Sequence, residues 1–535
     1  MHEVHSEREI IHHRNHLSLR TNLTAAIISA SLLIGCATQH VERTALTPSA
    51  FQSSSLEYLN QMRVSSPYLK VHMKNGNLYV FEWWRTDNQK STIDGQAALY
   101  NASRESLGSD RHLIGLDSIA LVETNVLHTS GSFIAITIFT GITLAVTIAC
   151  MYNPKACFGS CPTFYVSDGD SLRLQAEGFS SSISPSLEAT DVDALYHARP
   201  ANGELSIEMK NEALETHVVR SVDVLAIPTI KDSRVFLDQH QKFWLASKLL
   251  SPVSAIAQEG DCRHALSHAD GNERFSLADS SFLSTKEEIE LEFDVEPGQL
   301  YGLVVGSRQT LMPTYLLYQA LAYMGSDAGH WLAELERKKL SVRHSALEQH
   351  IGGIEALLPS SENDWNVAGS IDEHGPLATD IHLISLGEIS SRTCKLKLRM
   401  TKGAWRIDYV ALAELAAPVS PIRIRPYSVR HDGREELEAR SLLLDSARVL
   451  VTFPGDSYSL HYKLPDAQTH YEFFLESRGY YLEWIRKEWI EEQNPFFLAE
   501  MFLAPERALK RLAPEFKRVE AQMEESFWRS KYAKP

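Results

Sequence analysis

Basic charge is scarce in this chain relative to acid: 52 Lys and Arg stand against 68 Asp and Glu, a formal charge of −16. Such a surface repels phosphate backbones, and no basic stripe with interleaved aromatics offsets it, which argues against nucleic acid as a partner. The compact catalytic signatures are missing as well. There is no glycine loop with lysine for phosphate, no GxGxxG for a dinucleotide, no GxSxG elbow and no HExxH zinc helix. Triads and carboxylate pairs assemble from distant positions, so this absence does not exclude an enzyme. It removes any positive reason to expect one, and no cofactor is expected. Cysteine is sparse, six in 535 residues. Long uncharged runs are few too, and two of them are informative.

The first follows Arg20. Leu23-Thr24-Ala25-Ala26-Ile27-Ile28-Ser29-Ala30-Ser31-Leu32 is small and apolar, and Leu33-Ile34-Gly35-Cys36 closes it. Positive charge, short apolar stretch, small residue and cut is the order of an export signal, and the stretch is too short to span a bilayer comfortably. A cysteine just after the small residue resembles the lipobox of bacterial lipoproteins. The resemblance covers about residues 14–40. It implies acylation of the Cys36 thiol, cleavage before it, and a chain held to the membrane by its N-terminal lipid. Ala37, rather than Asp, implies sorting to the outer membrane, facing the periplasm or the surface. The segment ahead of Arg20 is longer than such signals require, with His2, His5, His12, His13 and His16 among Glu3, Glu7 and Glu9. Cleavage discards it, and no function is assigned to it.

The second uncharged run is Phe133 to Met151, nineteen residues and long enough to cross a bilayer as a helix. Thr137, Thr140, Thr143 and Thr147 share one helical face, and Gly141 with Ala145 permits close helix contact. Ile134, Ile136, Ile138, Ile142, Leu144, Val146 and Ile148 also alternate with strand periodicity. Length favours the helix. A crossing would put everything beyond it on the opposite side from Cys36, so the expectation is a segment that packs without crossing.

The remaining cysteines are Cys150, Cys157, Cys161, Cys262 and Cys394, an odd number in a compartment that favours disulfides. In Asn153-Pro154-Lys155-Ala156-Cys157-Phe158-Gly159-Ser160-Cys161-Pro162, two thiols lie four residues apart, and a short disulfide loop between Cys157 and Cys161 is the favoured reading. The alternative is a thiol or copper site. A Cys-xxx-Cys pair with a distant histidine holds copper in thioredoxin-fold copper chaperones, but there it lies between a strand and a helix. Here Cys161 runs into a hairpin, so the similarity is one of spacing.

The rest reads mainly as β with α additions. Residues 1–35 form the signal and 36–66 a Ser/Thr-rich tether. A small curled β module occupies 67–127: Leu69, Val71 and Met73 alternate with polar residues, and Asn75-Gly76 suits a type I′ turn. Trp83 and Trp84 follow as core or rim residues. The apolar segment occupies 133–151, and a sandwich-rich body follows over 152–470, with strand alternation at Thr163 to Val166, Leu205 to Met209, Val218 to Ile227 and Ile289 to Val295. Pro297-Gly298 and Lys402-Gly403 mark turns. A helical insert near 313–340 begins at Pro313. Residues 471–535 read as a helical arm, with stripes at Tyr481, Trp484, Ile485 and Trp489 and at Phe516, Val519, Met523 and Phe527. Pro505-Glu506 and Pro514-Glu515 each suit a helix start.

Two further clusters carry possible chemistry. The acids Glu288, Glu290, Glu292, Asp294 and Glu296 alternate along one strand, too regularly to wrap a calcium ion, and read as a solvated face. Asp364-Trp365 and Asp372-Glu373-His374-Gly375-Pro376 place Trp365 and His374 where a sugar could stack and hydrogen-bond, although a tryptophan is more often a core residue. The sequence thus points to a lipid-anchored envelope protein with a binding or assembly role and an envelope protein as partner. The periplasmic thiol or copper protein and the carbohydrate-binding or carbohydrate-active protein are the alternatives.

Overall fold

The computed structural model describes residues 40–46, 51, 68–73, 77–87, 89–100, 106–128, 161–324 and 350–529, apart from 169–170, 181, 183–186, 214, 231–232, 362–363, 373–374 and 484–492. The chain is mainly β, with several antiparallel sheets and few helices.

The N-terminal module is a six-stranded sheet of His40–Leu46, Tyr68–Met73, Leu78–Asp87, Thr92–Tyr100, Ser106–Gly115 and Ile119–His128. Its last five strands follow one another in the chain, and Leu69, Val71, Phe81, Ile93, Ala97, Ile114 and Val122 turn inward around Phe51 to make its own core. Trp84 packs against that core from the rim. The segment read as a tether contributes a strand, since His40–Leu46 pairs along its full length with Ile119–His128. Its polar composition conceals this, because a strand needs only alternate residues to be apolar.

The body consists of two sandwiches, one inserted into the other. In the first, a sheet carrying Thr163–Asp168, Ser171–Glu177, Glu204–Lys210 and Ser457–Lys463 faces one carrying Ala189–Ala194, Glu215–Pro228 and Tyr471–Glu483. The alternation at Leu205, Ile207 and Met209 is real, and all three are buried between the sheets with Phe164, Val224, Leu475 and Tyr462. The chain leaves this sandwich at Pro228 and re-enters it at Ile422–Ile424. Between those points it builds the second sandwich, in which Phe243–Leu250, Gln299–Gln309, Asp380–Ile389 and Trp405–Val419 face Lys286–Asp294, Ile354–Ser361, Asp364–Ile371 and Thr393–Thr401.

Both turns marked in the sequence of this insert are arches rather than hairpins. Pro297-Gly298 joins Lys286–Asp294 in one sheet to Gln299–Gln309 in the other, and Lys402-Gly403 joins Thr393–Thr401 to Trp405–Val419 in the same way. Gly403 adopts φ +77°, and a Cβ there would lie 2.5 Å from the backbone Cα of Ala278, so only glycine fits the second arch.

The helix Met312–Met324 starts with Pro313 in its first turn and lies almost wholly inside this core. The C-terminal helices Pro495–Leu503 and Pro505–Arg529 follow the first sandwich in the chain but pack on the second. Tyr315 meets Phe516 at a ring separation of 5.1 Å, and Met501, Leu509, Leu512, Val519 and Met523 join the same core. Each large apolar side chain so buried contributes about 1.5–3 kcal/mol. Tyr481, read as part of a helical stripe, instead lies in the long strand Tyr471–Glu483. Pro514 does not start a new helix either, and sits inside Pro505–Arg529 on its exposed side. Pro514 has no N–H to give the carbonyl one turn back, but both it and Lys510 are exposed residues, and the buried stripe carries the helix through.

Candidate functional site

A cluster of ionisable groups closes the open side of the first sandwich. Ala189–Ala194 is the outer strand of its sheet, and Asp191 and Asp193 project from one face of it, in register with Ser477 and Leu475 of the neighbouring strand. Val192 and Ala194 take the opposite face, where they pack with Leu225, Val235 and Phe243 at the junction with the insert. Glu177 ends the facing strand Ser171–Glu177 and is 4% exposed. The insert supplies the lid. Asp380 and His382 lie on one face of its outer strand Asp380–Ile389, with His382 Nε2 2.6 Å from Asp380 Oδ2. Asp380 accepts from the Ile381 amide at 2.8 Å and the Ala194 amide at 3.4 Å, and Glu177 accepts from the Leu377 amide at 2.8 Å. A Cβ on Gly375 would lie 1.9 Å from Glu177, so the backbone lies directly against the carboxylate.

Burial and mutual repulsion set the protonation of this cluster. Burial, then the charge of Asp380, pushes the Asp191 carboxyl up to about 6, against the pull of His382 and the Val192 and Phe179 amides. Asp193 is 5% exposed; burial first, then Asp191, Asp380 and Glu177, holds its carboxyl well above the usual carboxylate range. Its Oδ2 has no hydrogen-bond partner among the described residues. Burial alone would lower the His382 imidazole, but Asp380, Asp191 and Asp372 outweigh it and raise it. The seam therefore favours the neutral carboxyl on Asp193 and the protonated imidazole of His382 beside Asp380. Among the described residues no three His, Cys, Asp or Glu side chains are grouped so as to hold a metal ion.

Sequence reasoning missed this cluster because nothing in Asp191-Val192-Asp193 or Asp380-Ile381-His382 distinguishes it from a strand with one wet face. Only the insert, about two hundred residues downstream, covers that face.

The expected site residues lie elsewhere. Cys36, Cys157 and His374 fall outside the described residues, as do residues 133–151. Cys161 is buried just ahead of the strand Thr163–Asp168. Cys262 is buried with its thiol 3.5 Å from the Ala255 carbonyl, and burial pushes the Cys394 thiol up to about 11, so neither is a reactive thiolate at neutral pH. Trp365 is half-buried on the outer strand Asp364–Ile371, with the Lys397 ammonium 4.8 Å from its ring centre. Lys397 also pairs with Glu288 at 2.9 Å and Glu290 at 3.1 Å, and Lys395 with Glu292 at 3.5 Å. The acidic strand is thus a cross-strand ion-pair ladder. A cleft of about 230 Å³ opens beside Asp261, His264 and His268, next to Cys262 in the chain.

No family model and no curated protein matches the chain. Among solved structures it is weakly similar to that of infectious bursal disease virus Gx strain, at 10% identity over 90% of this chain and 91% of that one, with a TM-score of 0.14. It is also weakly similar to the GH31 alpha-xylosidase from Xanthomonas citri, at 8% identity over 78% of this chain and 37% of that one, with a TM-score of 0.13. At such scores neither likeness carries an argument about fold or site.

Proposed function

We propose that this chain is a lipid-anchored cell-envelope protein with a non-enzymatic binding or assembly role, acylated at Cys36 and partnered by another envelope component. The order of features up to Leu33-Ile34-Gly35-Cys36 supports the anchor, with outer-membrane placement following from Ala37. The observation that carries the non-enzymatic part is where the most perturbed acids sit. Asp191, Asp193, Asp380 and His382 lie at the joint of two sandwiches, where Asp380 accepts from the Ala194 amide and Glu177 from the Leu377 amide, so that the hydrogen bonds of the cluster link one part of the chain to another. A disulfide between Cys157 and Cys161 belongs to this reading. The copper and carbohydrate readings are weaker, since Cys161 is buried and Lys397 covers one side of Trp365.

The test is Cys36→Ser. The variant should remain as uncleaved precursor and take up no palmitate label. Normal processing with intact membrane association would overturn the lipoprotein reading.

A further inference from the structure

The helix Pro495–Leu503, of sequence PFFLAEMFL, is apolar on both sides. Met501 and Leu498 face the core, and Phe497 packs edge-on to Tyr323 at 5.5 Å. Phe496, Ala499 and Leu503, spaced i, i+3 and i+7, form the outward stripe with Phe502 beside it. Phe496 is 61% exposed, Phe502 48% and Leu503 83%. The helix has one charge, Glu500, which Arg507 and Arg511 hold at 2.8 and 2.7 Å. A surface helix ordinarily turns polar residues outward, and an apolar cluster left outside marks an interaction site.

What lies beside the cluster points to the partner. Across Ala504, the helix Pro505–Arg529 presents Arg507, Lys510, Pro514 and Arg518 along its outer side, all exposed. Of its acids, Glu506 is exposed at the first turn and Glu515 is half-buried, while two more are turned to other work. Glu520 binds Lys517 and accepts from the Ala278 amide, and Glu524 binds Arg308 and Arg406. An apolar stripe thus runs beside a basic one in a chain whose formal charge is −16. Aromatic and leucine side chains entering the acyl boundary, with arginine and lysine at the headgroups, are the pattern of interfacial membrane binding. Among the described residues no helix is long and apolar enough to cross a membrane.

We propose that the outer face of this helix pair docks on an anionic lipid surface. The body's excess of acid repels such a surface, so the basic corner also fixes the orientation of approach. The inference does not depend on acylation of Cys36.

The experiment places a nitrobenzoxadiazole dye on Leu503→Cys in the full chain. The parent chain, labelled identically, gives the background. Vesicles containing phosphatidylglycerol should shift the emission to the blue, and vesicles of phosphatidylcholine alone should not. The shift should be lost at about 1 M salt. Combining Lys510→Glu with Arg518→Glu should weaken vesicle affinity by at least about thirtyfold, and Phe496→Ser should weaken it with both charges intact. An equal shift with neutral vesicles, indifference to the charge reversals, or a shift on concentrating the protein without lipid would each overturn the proposal. The last would point to a second copy of the chain. Because the dye reports position 503 whether or not Cys36 is acylated, this result is independent of the Cys36→Ser test.

Discussion

Asp193 makes folding take up a proton. In the unfolded chain its carboxyl titrates in the usual range near 4, whereas burial and its acidic neighbours keep it protonated far higher in the fold. The native state therefore binds more protons, and stability falls as pH rises above the unfolded value. Asp191 acts in the same direction up to about 6. His382 does so too, because its raised imidazole gives stability that is present below about 6.5 and lost as pH climbs through the folded value. Acids held low by arginine, such as Glu188 between Arg220 and Arg478 and Glu259 on Arg274, oppose this only in acid, where their protonation costs stability. Asp193→Asn removes the proton uptake while keeping the shape. It should raise the thermal midpoint by a few degrees at pH 8 and by clearly less at pH 5. Equal shifts at the two pH values would show that the proton does not reside there.

The C-terminal helix is fastened by charge as well as by its apolar stripe. Arg308, 7% exposed, grips Glu273 with two bonds of 2.5 and 2.6 Å and Glu524 of the helix with one of 2.6 Å. Arg406 reaches both of those acids. Arg308→Ala leaves Glu273 and Glu524 facing each other with one cation between them, at a cost on the order of 3–5 kcal/mol. Amide hydrogen exchange should then quicken in Pro505–Arg529 and in Met312–Met324. It should not quicken in Tyr471–Glu483, which precedes the helices in the chain but belongs to the other sandwich; loss of protection there would mean the helices brace the wrong body. The sequence showed much of this element. The spacing of Phe516, Val519 and Met523 gave its buried face, and Pro505-Glu506 its start. Pro514 misled, because its cost depends on which side of the helix it occupies and how firmly the other side is packed, and that follows from packing rather than from local sequence. Tyr481 misled for the converse reason, since aromatic spacing at a strand end fits a helix equally well over one turn. Strand faces were legible wherever apolar and polar residues alternate, as at Ile289 to Val295, but pairing partners were not. An arch at Pro297-Gly298 and a hairpin there would bury the same face.

At the scale of the molecule, the insertion of one sandwich into another hides both the domain boundary and the candidate site. Pro228 and Ile422 lie beside each other in space and far apart in sequence, so no composition shift marks them, and the Ala194 amide meets Asp380 only after both sandwiches form. The small module needs no such assembly and was legible from Leu69 to Val122. Between module and body lies Phe133 to Met151, which is apolar enough to cross a membrane by sequence. If Cys36 is exported and acylated, a crossing there would return both sandwiches to the cytoplasm, where a disulfide between Cys157 and Cys161 would be reduced. An envelope role therefore requires the module and the body on one side. Reporter fusions active only outside the cytoplasm, placed after Leu127 and after Val166, should both be active. Activity at the first position alone would establish a crossing, and would turn Cys157 and Cys161 from a disulfide into thiols or metal ligands. It would also confine the basic helix pair to the cytoplasmic face of the membrane, so the same two fusions decide which leaflet it meets.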